Sequence, residues 1–111
     1  MTKDRLLRIA AELDQVAAGS RRVDRTIHKA LSLPGEAPDY TTDPAAAALL
    51  VPVGFEVADP QHSAHAVYVM IRRSGLLADG LRHPHHGAWG RTVALATAGA
   101  ALRAWAMSLQ G

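Results

Sequence analysis

The stretch Pro38–Phe55, PDYTTDPAAAALLVPVGF, decides how this chain is read. Asp43 followed by Pro44 marks a helix start. A short carboxylate accepts backbone N–H bonds at the N-cap, and proline at the first helical position gives up no donor that the helix needs. Ala45 to Val51 then supplies about two turns of residues that lose little side-chain entropy on becoming helical. Pro52 stops the helix, because it disfavours helical geometry at Val51 and brings no N–H of its own. Gly54 and Phe55 open an extended segment. Tyr40, just upstream, is expected to fold over the helix N-terminus with its hydroxyl in water. A buried apolar run of this kind is in the first place a packing module.

Working back to the N-terminus, Thr2 can cap a helix running to about Ala18 and ended by Gly19. Leu6, Ile9, Ala10, Leu13, Val16 and Ala17 fall on one stripe at helical spacing, with Arg5, Arg8, Glu12 and Gln15 largely opposite. Ser20 can cap a second helix to about Leu31, with Val23, Ile27, Ala30 and Leu31 on its apolar side. The segment from Ser32 to Thr42 has loop composition.

Working forward, a strand is expected from about Val53 to Ala58, then a turn at Asp59–Ser63. His65 to Arg73 is the clearest strand: Val67, Val69 and Ile71 alternate with Ala66, Tyr68, Met70 and Arg72. The two strands pair as an antiparallel hairpin with one face turned to helices. Ser74 to Gly90 is irregular, with Leu76, Leu77, Leu81 and Trp89 as anchors and a poorly signalled third strand near Gly87–Trp89. Thr92 caps a last helix to about Leu109, whose stripe is Leu95, Ala98, Gly99, Leu102, Trp105, Ala106 and Leu109. The fold expected is α+β: an α/β/α sandwich with a small antiparallel sheet of two or three strands. It has two N-terminal helices, a short central helix and a long C-terminal one. Leu50, Val67, Val69, Ile71, Leu95, Leu102 and Trp105 are its core or interface positions.

Length and composition bound the rest. The 111 residues make one domain, 1–111, large enough for a single core. Only five residues are aromatic and alanine is abundant, which predicts a thin core and makes a homodimer the expected state. The absence of cysteine removes disulfides, thiolate zinc sites and thiol nucleophiles. The charged N-terminus is not a signal peptide and no apolar run can span a bilayer, so a cytoplasmic protein without a membrane is expected. A net charge of +2 is only mildly basic.

Three constellations carry chemistry that can be named. His83, His85 and His86, with Asp79 four residues ahead of His83, have the residue types of a metal site, since neutral imidazole binds zinc, nickel or copper. No second shell is apparent and the Pro- and Gly-rich setting reads as a solvated loop, so no metal and no cofactor is assigned. His62 and His65 read as turn residues and His28 as a helix-surface residue. Arg21, Arg22, Arg25 and Lys29 form a basic face on the second helix, and two helices joined by Gly19–Ser20 resemble a helix-turn-helix. A nucleic-acid partner is the alternative this face suggests. It lacks base-reading Asn and Gln, and Asp24 sits among the cations. Asp39, Tyr40, Thr41, Thr42 and Asp43 are the polar candidates for catalysis, but no nucleophile–base signature, phosphate loop or dinucleotide pattern occurs, and no enzyme is expected.

In three places the chain resembles the phage ABA-sandwich domain family, small phage- and prophage-associated proteins. The second helix carries V-D-x-x-I-x-x-A-L at Val23, Asp24, Ile27, Ala30 and Leu31. The central stretch carries Y-T at Tyr40 and Thr41, the capping Asp43, Ala46 and Ala47, then L-V-P-x-G and an aromatic from Leu50 to Phe55. The last helix carries T-x-A-L-A-x-A-x-A-A-L-x-A from Thr92 to Ala104. Ala45 stands where an aspartate is usual. The resemblance implies helices on both faces of a small antiparallel sheet and no enzymatic activity. It makes a phage-derived accessory or structural protein, working by protein–protein contact with itself or other phage proteins, the expected function.

Overall fold

The computed structural model describes residues 2–73 and 85–108, with backbone alone at Arg73 and His85. The chain is α+β. In order it forms α1 (Lys3–Gln15), α2 (Arg21–Ala30), α3 (Pro44–Ala48), β1 (Phe55–Val57), β2 (Gln61–His62), β3 (Val67–Arg73), β4 (His85–Gly90) and α4 (Val93–Ser108).

Each helix begins where a short polar side chain stands ready to take a free N–H. Thr2 accepts from Arg5, Ser20 from Val23, Asp43 from Ala45 and Thr92 from Leu95, at 3.0–3.3 Å. α1 stops at Gln15, earlier than Ala18. Gly19 does not end the helix but admits a close approach, since a Cβ there would run into the carbonyl and hydroxyl of Thr41. α3 ends at Ala48, and Leu49, Leu50 and Val51 continue it with i→i+3 bonds to Ala46, Ala47 and Ala48. Pro52–Phe55 then closes a turn through Phe55 N–H and the Pro52 carbonyl (3.1 Å), with Gly54 at φ +92° in the position that demands glycine.

All pairing in the sheet is antiparallel and centred on β3. β4 runs along one edge, from Val67↔Gly90 to Arg72↔His85. β1 and β2 share the other edge end to end, with Phe55↔Arg73 to Val57↔Ile71 followed by Gln61↔Tyr68 and His62↔Val67. Three residues separate Val57 from Gln61, but only two separate Tyr68 from Ile71, so this edge carries a one-residue bulge. Pro60 lies in it, at a place where a missing N–H costs no ladder bond. The stretch expected as a turn at 59–63 therefore contains the two paired residues of β2. The strand expected only near 87–89 is a full six residues.

The face bearing Val67, Val69, Ile71 and Ala88 is buried under α4, which also packs on α1 and α3. α4 is apolar around most of its circumference. Beyond the expected stripe, Ala94, Ala96, Ala100, Ala101 and Ala104 are buried too, as befits a helix enclosed on several sides. Leu50, Leu95 and Leu102 lie in this core and Trp105 packs half-buried against it. The Trp105 indole N–H donates to the Leu50 carbonyl (2.6 Å), fastening α4 to the end of α3. Arg103 donates two bonds to the Asp14 carboxylate, at 2.7 and 3.4 Å, tying α4 to α1. Among the described residues no helix is long and apolar enough to cross a membrane.

Candidate functional site

Three surfaces carry the polar and aromatic residues that could do work. The first is a buried polar node where α2 meets the segment before α3. Asp24, which sits among the cations of α2 in the sequence, is completely buried. Its Oδ1 accepts from Thr41 N–H (2.8 Å) and from the Thr41 hydroxyl (2.7 Å), and its Oδ2 from Arg21 (3.3 Å). The Thr41 hydroxyl in turn accepts from Ser20 N–H (2.9 Å). Arg21 also pairs with Asp39 (2.7 Å) and approaches Glu36 (3.9 Å). Burial of a carboxylate is tolerated only when its lone pairs are taken up in this way. Gly19 is the residue that lets Thr41 come so close. Among the described residues no buried side-chain nitrogen or oxygen lacks a partner. Thr41 is itself buried, and the node locks the loop against α2.

Tyr40 and His28 extend the node. Tyr40 is buried and its hydroxyl lies 2.7 Å from His28 Nδ1, not in water. His28 is half-buried and bridges: its Nε2 is 3.0 Å from the Pro34 carbonyl, which can only accept, so Nε2 carries a proton, and in the neutral ring Nδ1 then accepts from the Tyr40 hydroxyl. Burial, and then the charge of Asp24, raise the Tyr40 pKa above its ordinary 10.0.

The second surface is an open groove of about 440 Å³ between α2 and the loop that follows it, lined by Arg25, His28, Lys29, Leu33, Glu36 and neighbouring backbone. The loop leaves α2 through Ser32 at φ +57°, with Ser32 N–H bonded to the Lys29 carbonyl (3.0 Å) and Leu33 N–H to that of His28 (3.1 Å). Of the four cations on α2, Arg21 is engaged by acids while Arg22, Arg25 and Lys29 have no acidic partner among the described residues.

The third surface is the sheet face turned away from α4. Tyr68 and Trp89 stand opposite one another on β3 and β4, ring centroids 5.0 Å apart at 53°. The Tyr68 ring reaches over Gly87, where a Cβ would collide with the phenol. Met70 is half-buried beside them, Arg72 bonds Glu56 across to β1 (3.1 Å), and Trp89 remains 51% exposed.

The histidine cluster is divided. His83, like Asp79 and the anchors Leu76, Leu77 and Leu81, lies outside the described residues, as does Leu109. The backbone of His85 pairs with Arg72, and His86 is half-buried in β4 with its ring 6.2 Å from that of Phe55. The run expected as a solvated loop is thus part of a strand at its second half, because β3 offers it a complete partner. Sequence reading missed the Asp24–Thr41 contact. The one available signal was the Asp24 side chain four positions after the capping Ser20, on the same side as Val23 and Ile27.

Comparison with protein families, with curated proteins and with solved structures finds no match to this chain.

Proposed function

We propose that this protein works by protein–protein contact, without catalysis, and that its contact surface is the outer sheet face, used to hold a second copy of the chain. The observation that carries the reading is the half-exposed Trp89 packed at a tilt against Tyr68. Tyrosine, tryptophan, methionine and arginine are the residue types enriched at the centres of interfaces, and this face presents one of each. Its charge is balanced by the Arg72–Glu56 pair, so two copies meet without repulsion. A twofold brings like patch to like patch and closes the assembly. The resemblance to phage-associated proteins of accessory or structural type supports the same class of role.

α4 is not the docking surface, since Leu95 and Leu102 are already fully enclosed within one subunit. Three strands at about 4.8 Å spacing and six residues at about 3.4 Å give a face of roughly 300 Å² in projection. Stable complexes bury about 800 Å² per partner, so this contact is weak and reversible. Sedimentation equilibrium from about 10 µM to 1 mM, concentrations suited to so small an interface, is expected to show a dimer forming with concentration. Trp89→Ser should abolish it while the circular dichroism spectrum is kept. A monomer throughout, or a dimer indifferent to Trp89→Ser, overturns the assignment.

A further inference from the structure

The groove between α2 and the loop after it lies on a different element from the outer sheet face and is independent of the reading above. Three features meet there. Arg25 and Lys29 stand one helical turn apart on the groove wall and make no ion pair among the described residues. Arg22 stands one turn before Arg25, so three like charges follow one another along the helix, an arrangement that destabilises a helix unless something neutralises it. Of the acids nearby, Asp24 is buried on Thr41 and Asp39 is held by Arg21. Glu36, on the groove's own rim, comes within 3.9 Å of Arg21 and forms no ion pair with Arg25 or Lys29 among the described residues.

The second feature is Leu33, a large apolar side chain 41% exposed in the same groove. The third is preorganisation. The left-handed turn at Ser32 and the bridge from Pro34 through His28 to Tyr40 hold the loop wall in place, so a ligand entering the groove has little ordering to do.

We infer that this groove binds a short, extended acidic segment of a partner protein, with two carboxylates meeting Arg25 and Lys29 and an adjacent apolar side chain on Leu33. In an extended chain, alternate residues lie on one side at about 6.8 Å, matching the roughly 6 Å between positions four apart on a helix. A volume of about 440 Å³ takes a few side chains, not a nucleic-acid duplex. Glu36 at the groove, 91% exposed as a side chain, would repel a continuous phosphate backbone, whereas a peptide can place a neutral residue or a lysine opposite it.

The test uses fluorescein-labelled octapeptides carrying Glu-Leu-Glu or Glu-Phe-Glu, their Gln-Leu-Gln and Gln-Phe-Gln counterparts, and a twenty-nucleotide single strand and duplex, all titrated by anisotropy. The acidic peptides are expected to bind about ten-fold or more tightly than the glutamine ones, the size of one lost charge-assisted bond. Arg25→Gln and Lys29→Gln should each weaken binding by a similar factor, Leu33→Ser should weaken it without altering the Glu-over-Gln preference, and Arg22→Gln, outside the groove lining, should leave it unchanged. Lys29→Glu serves as a second variant and should shift preference to a Glu-Leu-Lys peptide. All are exposed changes checked for folding by circular dichroism. Equal binding of acidic and amide peptides, or no binding of either at 1 mM peptide, overturns the inference. So does tighter binding of the oligonucleotides that Arg22→Gln weakens as much as Arg25→Gln, which would assign the face to phosphates.

Discussion

α4 and α2 are both helices of ordinary length, and they are held by opposite means. α4 has eleven of its sixteen residues buried, nearly all Ala, Leu or Gly, and is gripped by shape. Small side chains let the sheet, α1 and α3 approach from several sides at once, so dispersion and excluded water do most of the holding. The Trp105–Leu50 and Arg103–Asp14 bonds add to it. α2 buries only four of its ten residues, one of them a carboxylate. Directional bonds to Thr41 and the cap at Ser20 hold it in place, and it leaves its cations to solvent. A shape-held helix resists any change of volume, whereas a bond-held one resists the loss of particular atoms. The two regions should therefore fail differently.

The largest effect is expected at Leu102, fully buried in the middle of α4. Leu102→Ala should cost about 3–5 kcal/mol, the upper part of the range for such truncations, because a helix enclosed on several sides cannot collapse into the space. Thermal and urea denaturation measure it. A loss below about 1 kcal/mol would break the comparison by showing that α4 is loosely held.

Next comes Asp24. Asp24→Ala strands the Thr41 N–H in a buried site and leaves the Thr41 hydroxyl only its longer bond to the Ser20 carbonyl (3.2 Å), and should cost about 2–4 kcal/mol. Asp24→Ala combined with Thr41→Val should cost distinctly less than the two single changes added, because each single change already breaks the same Asp24–Thr41 hydroxyl bond. Strict additivity would mean that the node is no more than a set of independent contacts.

The third effect depends on pH. Tyr40 has its folded-state pKa raised above 10.0, first by burial and then by Asp24. The stability that this contributes is complete below the unfolded value of about 10 and is lost as pH climbs through the folded value. Wild type should therefore lose stability above about pH 10, and Tyr40→Phe should flatten that loss. At neutral pH the variant should be weaker by about 1 kcal/mol for the missing bond to His28. An alkaline limb unchanged in Tyr40→Phe would assign it to other groups.

How far the chain could be read from its residues follows the same division. Caps at Thr2, Ser20, Asp43 and Thr92 were legible because donor and acceptor lie within three residues of one another. The strand at β3 was legible from its period of two. β4, HHGAWG, has no such period, and its extended form follows from pairing along β3. Asp24 meets Thr41 across seventeen residues, a contact with no local signature, so in the sequence it stands only as an acid among cations. Alanine was ambiguous in α4: it suits an exposed helix and a closely packed one equally, and only the neighbouring layers decide between them. The sites share this fate, since the Tyr68–Trp89 pair depends on register and the groove on where the loop turns back.

The smallest effect probes the loop wall beside α2. Ser32 closes that helix in the left-handed region, at φ +57°, with the two bonds to the Lys29 and His28 carbonyls that mark such a stop. A residue with a Cβ is strained there by about 1–2 kcal/mol, which glycine avoids. Glycine in turn gives up more freedom on folding, by about 0.4–1 kcal/mol, so part of the gain is returned. Ser32→Gly should then stabilise the protein by about 0.5–1 kcal/mol, read as a rise in denaturation midpoint at unchanged m-value. The bonds that define α2's end do not involve the serine hydroxyl, so nothing else is lost. If the variant is less stable, the loop is held by its own rigidity rather than by the His28–Pro34 and Tyr40 bonds. α2 would then be shape-held at its C-terminal end and bond-held only at its N-terminal one.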